Sequence, residues 1–487
     1  MKKTYKYTLS ALLILSAASC KKLNDFGNTN KVPDAVTTVI PSALIANVEL
    51  NVGGYSSTSA YAITGGYYAQ YFAETQYPGT SLYDLNQRGF AGDYNGTLYD
   101  AQTVINSPLS SKNAVAAATI MQQYIFWMLT DNMGDLPYSQ ALKGLSNILP
   151  AYDTSEDIYK GIVKNTAAAV ASLTGSGVEG DVVYGGDISK WKAFGNSLII
   201  LVTTQASKTD QADSWAKPAF ASAVAGGYIS TNDGNFAVPY TSDYHNPWYA
   251  LYDGRKDEGE STTMTALTAS LNDGRQVMFG GAANDPNNSN NAATPATAQT
   301  SNVGVPYGLG RTDANNFIGA NQGWAYIMRA DQRLQTSTVQ AVTASEVLLA
   351  VAEGTSLGWS GLDANALYQS GIKASFDQWG VDAPSAAYLS NVPFNAKNLA
   401  TQQYLAGYPN GHIGWNVWRK TGVPTLKPAA AHSNTSGLIP RRLDYSSTEL
   451  QTNEVAAKAA IARERGKNPG TDSQDNAVWW DVTGLAQ

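Results

Sequence analysis

Apolar residues recur at helical spacing along several separate stretches of the chain. In residues 112–142, one face of a helix with about 3.6 residues per turn is formed by Ala117, Ile120, Met121, Tyr124 and Met128. Residues 152–173 and 185–207 carry comparable stripes, and the first of these has Asp153 or Ser155 at the position of an N-cap. These patterns predict long amphipathic helices in the first half of the chain.

Two further helices are predicted close together in the second half. Residues 343–358 and 363–380 each show helical spacing, and the short turn WSGL separates them. Helix–turn–helix pairs of this kind resemble the unit of tetratricopeptide repeats, which recur about every 34 residues. Because the predicted pairs here are unequally spaced, a mainly α-helical fold is expected but not a continuous solenoid.

The remaining segments lack this periodicity. Residues 207–342 are dense in Asn, Pro and Gly, residues 76–96 are rich in Tyr, Gly and Asn, and residues 403–481 mix aromatic and basic positions. Loops this long in a compact protein are usually functional or disordered. We therefore expect loop-rich insertions at about 207–342, an exposed loop at 76–96 and a C-terminal segment that wraps the helices.

The N-terminus has the layout of a secretory signal. Lys2, Lys3 and Lys6 precede a short apolar run from Leu9 to Leu15, and small residues lead to Cys20. This predicts a signal peptide over 1–19 and a polar tether over 20–40. Small residues followed by cysteine are similar to a bacterial lipoprotein box, in which the thiol is lipidated, for example with palmitate, and the new N-terminal amine is acylated. A reactive thiol or an intermolecular disulfide at this single cysteine is the alternative.

Composition excludes several classes of function. The chain has 487 residues, a formal net charge of −7 and only 15% charged residues, with no long run of Lys or Arg, so no nucleic-acid footprint is predicted. One Cys and three His leave little for a zinc or His-based metal site. No cofactor is predicted, although calcium bound at a loop stays open. After the signal region, no segment is apolar enough to cross a membrane.

Catalytic motifs are weak. The stretch GTSLG at 354–358 fits the pattern around a serine nucleophile, with Ser356 followed by Asp377 and His412 in the required order. It ends a predicted helix, however, where glycine is an ordinary capping residue. Asp131 and Asp135 are a carboxylate pair just past another helix, where turn and capping roles are common. We predict no enzyme, with a glycan or ester hydrolase as the less favoured alternative.

Aromatic residues in the predicted loops are the candidates for ligand contact. An aromatic face offers a flat apolar platform, and a hydroxyl or neighbouring amide adds polar contacts, which suits a sugar ring. The alternative is that these rings pack the core. On loop position and aromatic chemistry, the predicted ligand-binding residues are Tyr71, Tyr77, Tyr83, Trp248, Tyr252 and Trp324.

Several sequence blocks occur in an order typical of one family. They are FWMLTDNMGDLPYSQAL, AYDTSEDIYKGIV, GGDISKWKAFGNSLIILV, SEVLLAVAEGTSLGW with GIKASFDQWGV, GWNVWRKTGVPTL, IPRRLDYSSTE and NAVWWDV. Together, behind the lipoprotein box, they resemble the SusD/RagB family of outer-membrane nutrient-binding lipoproteins, in particular its SusD-like subgroup. Within these blocks, we interpret Trp418, Arg419, Trp479 and Trp480 as structural residues.

The resemblance implies a fold and a set of partners. It implies four tetratricopeptide-like helix pairs as a scaffold, with a loop-rich irregular remainder that binds the ligand, all within a single domain over 41–487. It further implies a lipid-anchored protein at the cell surface that acts as the lid of a SusC-like TonB-dependent transporter. The implied ligand is an oligosaccharide, or alternatively a peptide, and no catalysis is expected.

Overall fold

A computed structural model of the chain describes residues 39–84, 87–252, 254–288 and 298–485. Residues 41–487 form one compact unit. The predictions for the signal peptide, for lipidation of Cys20 and for nearly all of the tether lie outside the described residues.

Helices dominate the described residues, and strands are short. In chain order, the helices are α1 (Pro41–Tyr55), α2 (Ala60–Tyr68), α3 (Ala91–Asn95), α4 (Thr97–Asn106), α5 (Lys112–Met133), α6 (Ser155–Ser172), α7 (Ile188–Gln205), α8 (Ala212–Ala225), α9 (Thr262–Leu271), α10 (Gln276–Phe279), α11 (Arg311–Ala320), α12 (Ala344–Ser356), α13 (Ala364–Gln378), α14 (Ala386–Asn391), α15 (Ala396–Gly407), α16 (Gly411–Thr421), α17 (Ser447–Thr452), α18 (Glu454–Ile461) and α19 (Val482–Leu485). The strands are β1 (Phe72–Glu74), β2 (Gln87–Arg88), β3 (Phe236–Val238), β4 (Glu258–Glu260), β5 (Gly280–Ala282), β6 (Ala325–Ile327), β7 (Val339–Val342), β8 (Asp444–Tyr445), β9 (Arg465–Gly466) and β10 (Asn476–Ala477).

Four helix pairs of the described chain form the scaffold: α4 with α5, α6 with α7, α12 with α13, and α15 with α16. Successive pairs touch through α5 and α6, through α7 and α12, and through α12 and α15. The predicted mainly α-helical fold with tetratricopeptide-like pairs is therefore confirmed. The α8 helix packs beside α7 and interrupts the regular alternation, in keeping with the unequal spacing of the pairs in the sequence.

Helix ends follow local side-chain chemistry. The α6 helix begins after Thr154, whose hydroxyl accepts a hydrogen bond from the amide of Asp157 at 3.1 Å. Asp153 and Ser155 were the residues predicted for this role, and both are engaged elsewhere. Asp153 accepts from the amides of Tyr138 and Ser139 at 3.0 and 2.8 Å, and Ser155 donates its amide to Asp135 at 2.9 Å. The cap is thus one residue away from either expected position, because both neighbours bind the preceding turn.

Helices α2 and α16 cross with their backbones in near contact. A Cβ atom built on Gly411 would lie 1.9 Å from the backbone nitrogen of Gly66 and 2.1 Å from the carbonyl oxygen of Ala62. A Cβ atom on Gly65 would lie 2.8 Å from the carbonyl oxygen of Gly411. Neither helix can carry a side chain at this crossing. The crossing holds α2, near the N-terminus, against the last scaffold pair.

The loop-rich remainder is tied together by two-stranded pairings. Strands β1 and β4, β3 and β7, β5 and β6, and β9 and β10 pair antiparallel, while β2 and β8 pair in parallel. The prediction of a loop-rich insertion over 207–342 is too simple, because this range contains the helices α8, α9 and α11. Among the described residues, no helix is both long enough and apolar enough to span a lipid bilayer.

Candidate functional site

The structure separates the six predicted ligand-binding aromatics into two groups. Five of them expose 5% or less of their surface: Tyr71, Tyr83, Trp248, Tyr252 and Trp324. Tyr77 is 57% exposed. The expectation that loop position keeps these rings accessible therefore holds for Tyr77 alone of the six. The assignment of ligand contact stays a prediction, and Tyr77 is the residue of the set that this structure places where a ligand can reach it.

The buried rings form an aromatic layer beneath the loops, which is divided between two core clusters. Tyr71 packs against Tyr404 with ring centroids 4.6 Å apart. Tyr83 accepts a hydrogen bond from the amide of Ala429 at 2.9 Å through its hydroxyl. Trp248 packs edge-to-face on Phe72 at 6.0 Å. Rings of this size bury so much apolar area that they act as core residues even without a long helix to carry them.

Tyr252 and Trp324 meet on a third ring. Tyr252 stacks on Tyr326 at 3.9 Å with an interplanar angle of 14°, and Trp324 packs edge-to-face on Tyr326 at 5.0 Å. The Tyr252 hydroxyl donates to the carbonyl of Glu258 at 3.0 Å and accepts from the amide of Ile327 at 2.7 Å. These bonds satisfy the polar tip of the buried ring, as buried tyrosines require.

The exposed ring of Tyr77 lies between two arginines. The guanidinium carbon of Arg255 is 4.9 Å from the ring centroid, and that of Arg311 is 4.8 Å away. Both arginines are exposed, and Arg255 also donates from Nε to the carboxylate of Asp257 at 2.5 Å. We call Tyr77, Arg255 and Arg311, with Asp257, the loop face.

Two features of the fold hold the loop face together. The amide of Thr75, just after β1, donates to the carbonyl of Asp257 at 2.7 Å, which continues the pairing of β1 with β4 and sets Tyr77 beside Arg255. On the other side of Tyr77, the carboxylate of Glu74 accepts from both the amide and the hydroxyl of Ser81, at 2.8 and 2.6 Å. Burial raises the pKa of the Glu74 carboxyl above its ordinary value.

The loop face combines an apolar platform with hydrogen-bond donors. A planar ring flanked by guanidinium groups can stack against the apolar face of a ligand while the N–H groups donate to its oxygens. Arg255 and Arg311 were absent from the predicted site. Tyr77, Arg255 and Arg311 are far apart in sequence, so only the strand pairing and the start of α11 bring them together.

The residues considered for catalysis are not assembled. The hydroxyl of Ser356, exposed at the end of α12, donates to the carbonyl of Glu353 at 2.7 Å. His412 is fully buried, and its ring nitrogens contact Asn132 and Asn416 at 3.3 and 3.2 Å. Burial lowers the pKa of the His412 imidazole. A nucleophile at the surface and a base inside the core do not make the triad that the less favoured hydrolase alternative would require.

Asp131 is the centre of a buried network. Its carboxylate accepts from the indole nitrogen of Trp480 at 2.8 Å and from the side-chain amide of Asn416 at 2.5 Å. The guanidinium of Arg419 donates to the backbone carbonyl of Asp131 at 2.7 Å and lies 3.7 and 4.7 Å from the rings of Trp415 and Trp480. Burial lowers the pKa of Arg419 to about 10.

This network and its surroundings support the interpretation of the C-terminal blocks as structural. Trp418 lies under the guanidinium of Arg441 at 4.8 Å, and Trp479 packs on Tyr159 at 5.4 Å. Asp135 accepts from the guanidinium of Arg463 at 2.7 Å. Each of these groups holds the C-terminal segment against the helices. Among the described residues, no cluster of three or more His, Cys, Asp or Glu is arranged to hold a metal ion.

The helix pairs stack into a scaffold, and the loops above it carry the aromatic layer and the exposed loop face. This architecture is that of a protein built on helical repeats. The family model for SusD-like proteins, described as starch-binding and associating with the outer membrane, matches residues 33–446. The chain therefore belongs to the SusD-like family.

Solved structures show the same fold. A chitin-binding protein is 25% identical, with a TM-score of 0.76 over 91% of this chain and 100% of its own. A SusD homologue from Bacteroides fragilis is 24% identical, with a TM-score of 0.72 over 91% and 100%. A chitin-binding SusD homologue from Flavobacterium johnsoniae is 23% identical, with a TM-score of 0.74 over 91% and 98%. A search of curated proteins found no match.

Proposed function

We propose that the protein binds an oligosaccharide at the outer surface of the cell and delivers it to a TonB-dependent outer-membrane transporter, on which it acts as a lid. The observation that carries this proposal is the family match over residues 33–446, whose description names starch binding and the outer membrane. The protein then works by binding and release, with no chemical change to its ligand.

The loop face is the place on the described surface that we assign to the ligand. Tyr77 offers an exposed ring, and Arg255 and Arg311 offer N–H donors on either side of it. A sugar has an apolar C–H face for the ring and a rim of hydroxyl oxygens for the donors. The five buried aromatics form the rigid layer below and hold the loops in position.

Two polymers, starch and chitin, are the candidate sources of the oligosaccharide. The family description names starch, whereas two of the similar structures are described as chitin-binding. Both are neutral glycans, so a panel of maltooligosaccharides and chitooligosaccharides tests them side by side. A peptide pool tests the alternative ligand class.

Calorimetry on the purified protein and its Tyr77→Ala variant tests the proposal. We expect one of the two glycan series to bind, and we expect Tyr77→Ala to weaken that binding about fivefold, since a stacked aromatic contributes on the order of 1 kcal/mol. Tyr99→Ala is the matched control, because Tyr99 is 49% exposed on α4, away from the loop face. Binding of peptides only, or release of shorter sugars from the glycan, would contradict the proposal.

Anchoring and the transporter need separate experiments. We expect a palmitate analogue to label the protein in cells and Cys20→Ser to abolish that label and release the protein from the membrane fraction. Purification of the wild-type protein in mild detergent is expected to bring a large β-barrel transporter with it. A Cys20→Ser protein that stays in the membrane fraction would argue against lipid anchoring and leave the glycan test untouched.

A further inference from the structure

A cavity lies between the scaffold and the loop-rich remainder, away from the loop face. It is bounded by β7, the first turn of α12, the end of α13 and the turn from α15 to α16, and it has a volume of about 320 Å³. We call it the scaffold cavity. Its walls share none of the residues of the loop face. The volume is at the lower end of the range of ligand pockets.

Apolar and aromatic side chains make up much of its wall. Trp248 and Tyr408 contribute rings, and Met328 and Ile413 contribute aliphatic surface. Trp379 lies at the end of α13, with its ring 6.2 Å from that of Tyr408. Trp248 was predicted to be a ligand-binding residue, and the scaffold cavity is where it borders open space.

Polar atoms without partners stand in the same wall. The indole nitrogen of Trp379, a residue only 5% exposed, and the side-chain oxygen of Gln378 make no hydrogen bond to any described residue. Leaving a buried donor or acceptor without a partner costs about 1–3 kcal/mol. Two such atoms, in residues that line one cavity, leave a donor and an acceptor for a bound molecule.

The wall also contains a carboxyl group of unusual character. Glu346, in the first turn of α12, forms no ion pair with any described Lys, Arg or His. Burial raises its pKa to about 8. The second acidic residue of the wall, Asp331, is neutralised by Arg329 at 2.5 Å. The described residues of the lining include no Lys, Arg or His to attract an anion, Asp331 is already paired, and burial favours the uncharged form of Glu346.

We propose that the scaffold cavity binds one neutral sugar ring. A ligand there must accept from Trp379, donate to Gln378 and place an apolar face on aromatic walls. Hydroxyl and acetamido groups on a sugar ring do all of this, because they donate and accept at once. A volume of about 320 Å³, at the lower end of the range for ligand pockets, suits a ligand of the size of one sugar ring.

This proposal rests on the scaffold cavity and not on the proposed function of the loop face. If both hold, the protein has two sugar sites of different size. The loop face would take a chain of several sugars at the surface, and the scaffold cavity would take a monosaccharide. The two sites are then separable by mutation, since no residue belongs to both.

Titration of the purified full-length protein in detergent with N-acetylglucosamine and with glucose tests the proposal. We expect at least one monosaccharide to bind, and Trp379→Phe to weaken it about fivefold, because the variant keeps the ring and loses one donor. Trp359→Phe is the matched control, since Trp359 is equally buried and its indole nitrogen donates to Asp213 at 2.9 Å elsewhere in the fold. Gln378→Ala is a second variant with the same expected direction, in case Trp379→Phe lowers the melting temperature.

The loop-face variant distinguishes the two sites. Tyr77→Ala is expected to leave monosaccharide affinity unchanged. The proposal is overturned if neither sugar binds, or if binding is lost in Tyr77→Ala and kept in Trp379→Phe and Gln378→Ala. A crystal structure at saturating N-acetylglucosamine is expected to show the ring against Trp379 and Trp248, and ordered water alone in the cavity would equally overturn it.

Discussion

The helical scaffold and the loop-rich remainder bury their side chains by different rules. In α6, burial follows the periodicity of the sequence, and Ile158 and Ile162 are fully buried at a helical interval. In the remainder, Tyr83 and Tyr252 are almost as completely buried, although Gly, Asn and Asp surround them in the sequence. A composition rich in Gly, Asn and Asp therefore predicts an irregular backbone. It does not predict whether a large aromatic ring in that segment is buried.

The physical reason lies in how each region builds its core. A helix presents a stripe of medium-sized residues to its neighbour, so spacing alone identifies the buried face. The remainder has short strands and few long helices, and its interior is filled by ring-on-ring contacts such as Tyr252 on Tyr326 at 3.9 Å. Four predictions test how far this contrast extends, and they are arranged by the size of the expected effect on stability.

The largest effect is expected where the backbones of α2 and α16 cross. Gly411→Leu should prevent folding, because its Cβ alone would lie 1.9 Å from the backbone of Gly66 and neither helix can move without disturbing its other contacts. Effects above about 4–5 kcal/mol are rare and arise from such mechanisms. Circular dichroism and thermal melting of the purified variant measure the outcome.

The matched control is a glycine with free space. Gly319, in the exposed helix α11, would place a Cβ with no atom within 4 Å. Gly319→Ala should leave stability unchanged or raise it by about 0.5–1 kcal/mol, since alanine is the better helix former. Normal folding of Gly411→Leu would show that the crossing is looser than described.

Much of the scaffold could be predicted from the sequence. The stripes in 112–142, 152–173 and 185–207 correspond to α5, α6 and α7, and the pair around the WSGL turn corresponds to α12 and α13. Local spacing is sufficient to find these helices, although it identifies a single buried face in α6 and not in α5 or α7, which are buried on nearly every side. The α8 helix was missed, since its sequence ADSWAKPAFASAVA has a proline inside and a weak apolar stripe.

The candidate site could not be predicted in the same way. Whether Tyr83 is buried depends on Ala429, which donates to its hydroxyl from 346 residues away along the chain. Arg255 and Arg311 join Tyr77 only through the pairing of β1 with β4 and the placement of α11. Such long-range contacts leave no local signal, so a single sequence identifies the aromatic residues but not the one that reaches the surface.

The second prediction concerns a buried ring of the remainder. Tyr83→Ala should destabilise the protein by about 3–5 kcal/mol, the usual range for removing a large buried side chain. The variant also leaves the amide of Ala429 without its acceptor. Urea denaturation followed by tryptophan fluorescence measures the difference. A loss below about 1 kcal/mol would mean that the loop region tolerates a missing ring and lacks a true core.

The third prediction uses pH. Burial raises the pKa of Glu260 in β4 and of Glu346 in α12 to about 8. The folded state therefore holds these protons more tightly than the unfolded chain does. Stability from this source is complete below the ordinary carboxyl pKa and is lost as the pH rises toward 8, by up to about 1.4 kcal/mol per pH unit for each group. Denaturant midpoints between pH 6 and pH 8 should fall accordingly.

Single substitutions distinguish the contribution of the scaffold to this pH dependence from that of the loop-rich remainder. Glu260→Gln should remove the share of the pH dependence that comes from Glu260 in the remainder and leave that of Glu258, whose pKa burial raises to about 7. Glu346→Gln should remove the share that comes from Glu346 in the scaffold. Glu454→Gln is the control, because Glu454 is exposed on α18 and pairs with Lys458 there. A midpoint that stays level between pH 6 and pH 8 in the wild type would show that these carboxyls are hydrated.

The smallest effect on stability is expected at Tyr77, six residues before Tyr83 in the same loop. Tyr77→Ala removes an exposed ring and two contacts with arginine, and exposed contacts of that kind contribute about 0.5–1 kcal/mol at most. We expect a change in the free energy of unfolding of about 0.5 kcal/mol, measured in the same urea titration as Tyr83→Ala.

The pair of variants then decides what the loop aromatics are for. A ring that packs the core loses stability when it is removed, whereas a ring kept at the surface for a ligand loses affinity and little else. If Tyr77→Ala is as destabilising as Tyr83→Ala, Tyr77 belongs to the aromatic layer and the loop face has no free platform. If it is nearly neutral for stability and weakens oligosaccharide binding, the exposed ring is retained for recognition, since packing gives the fold no reason to keep it.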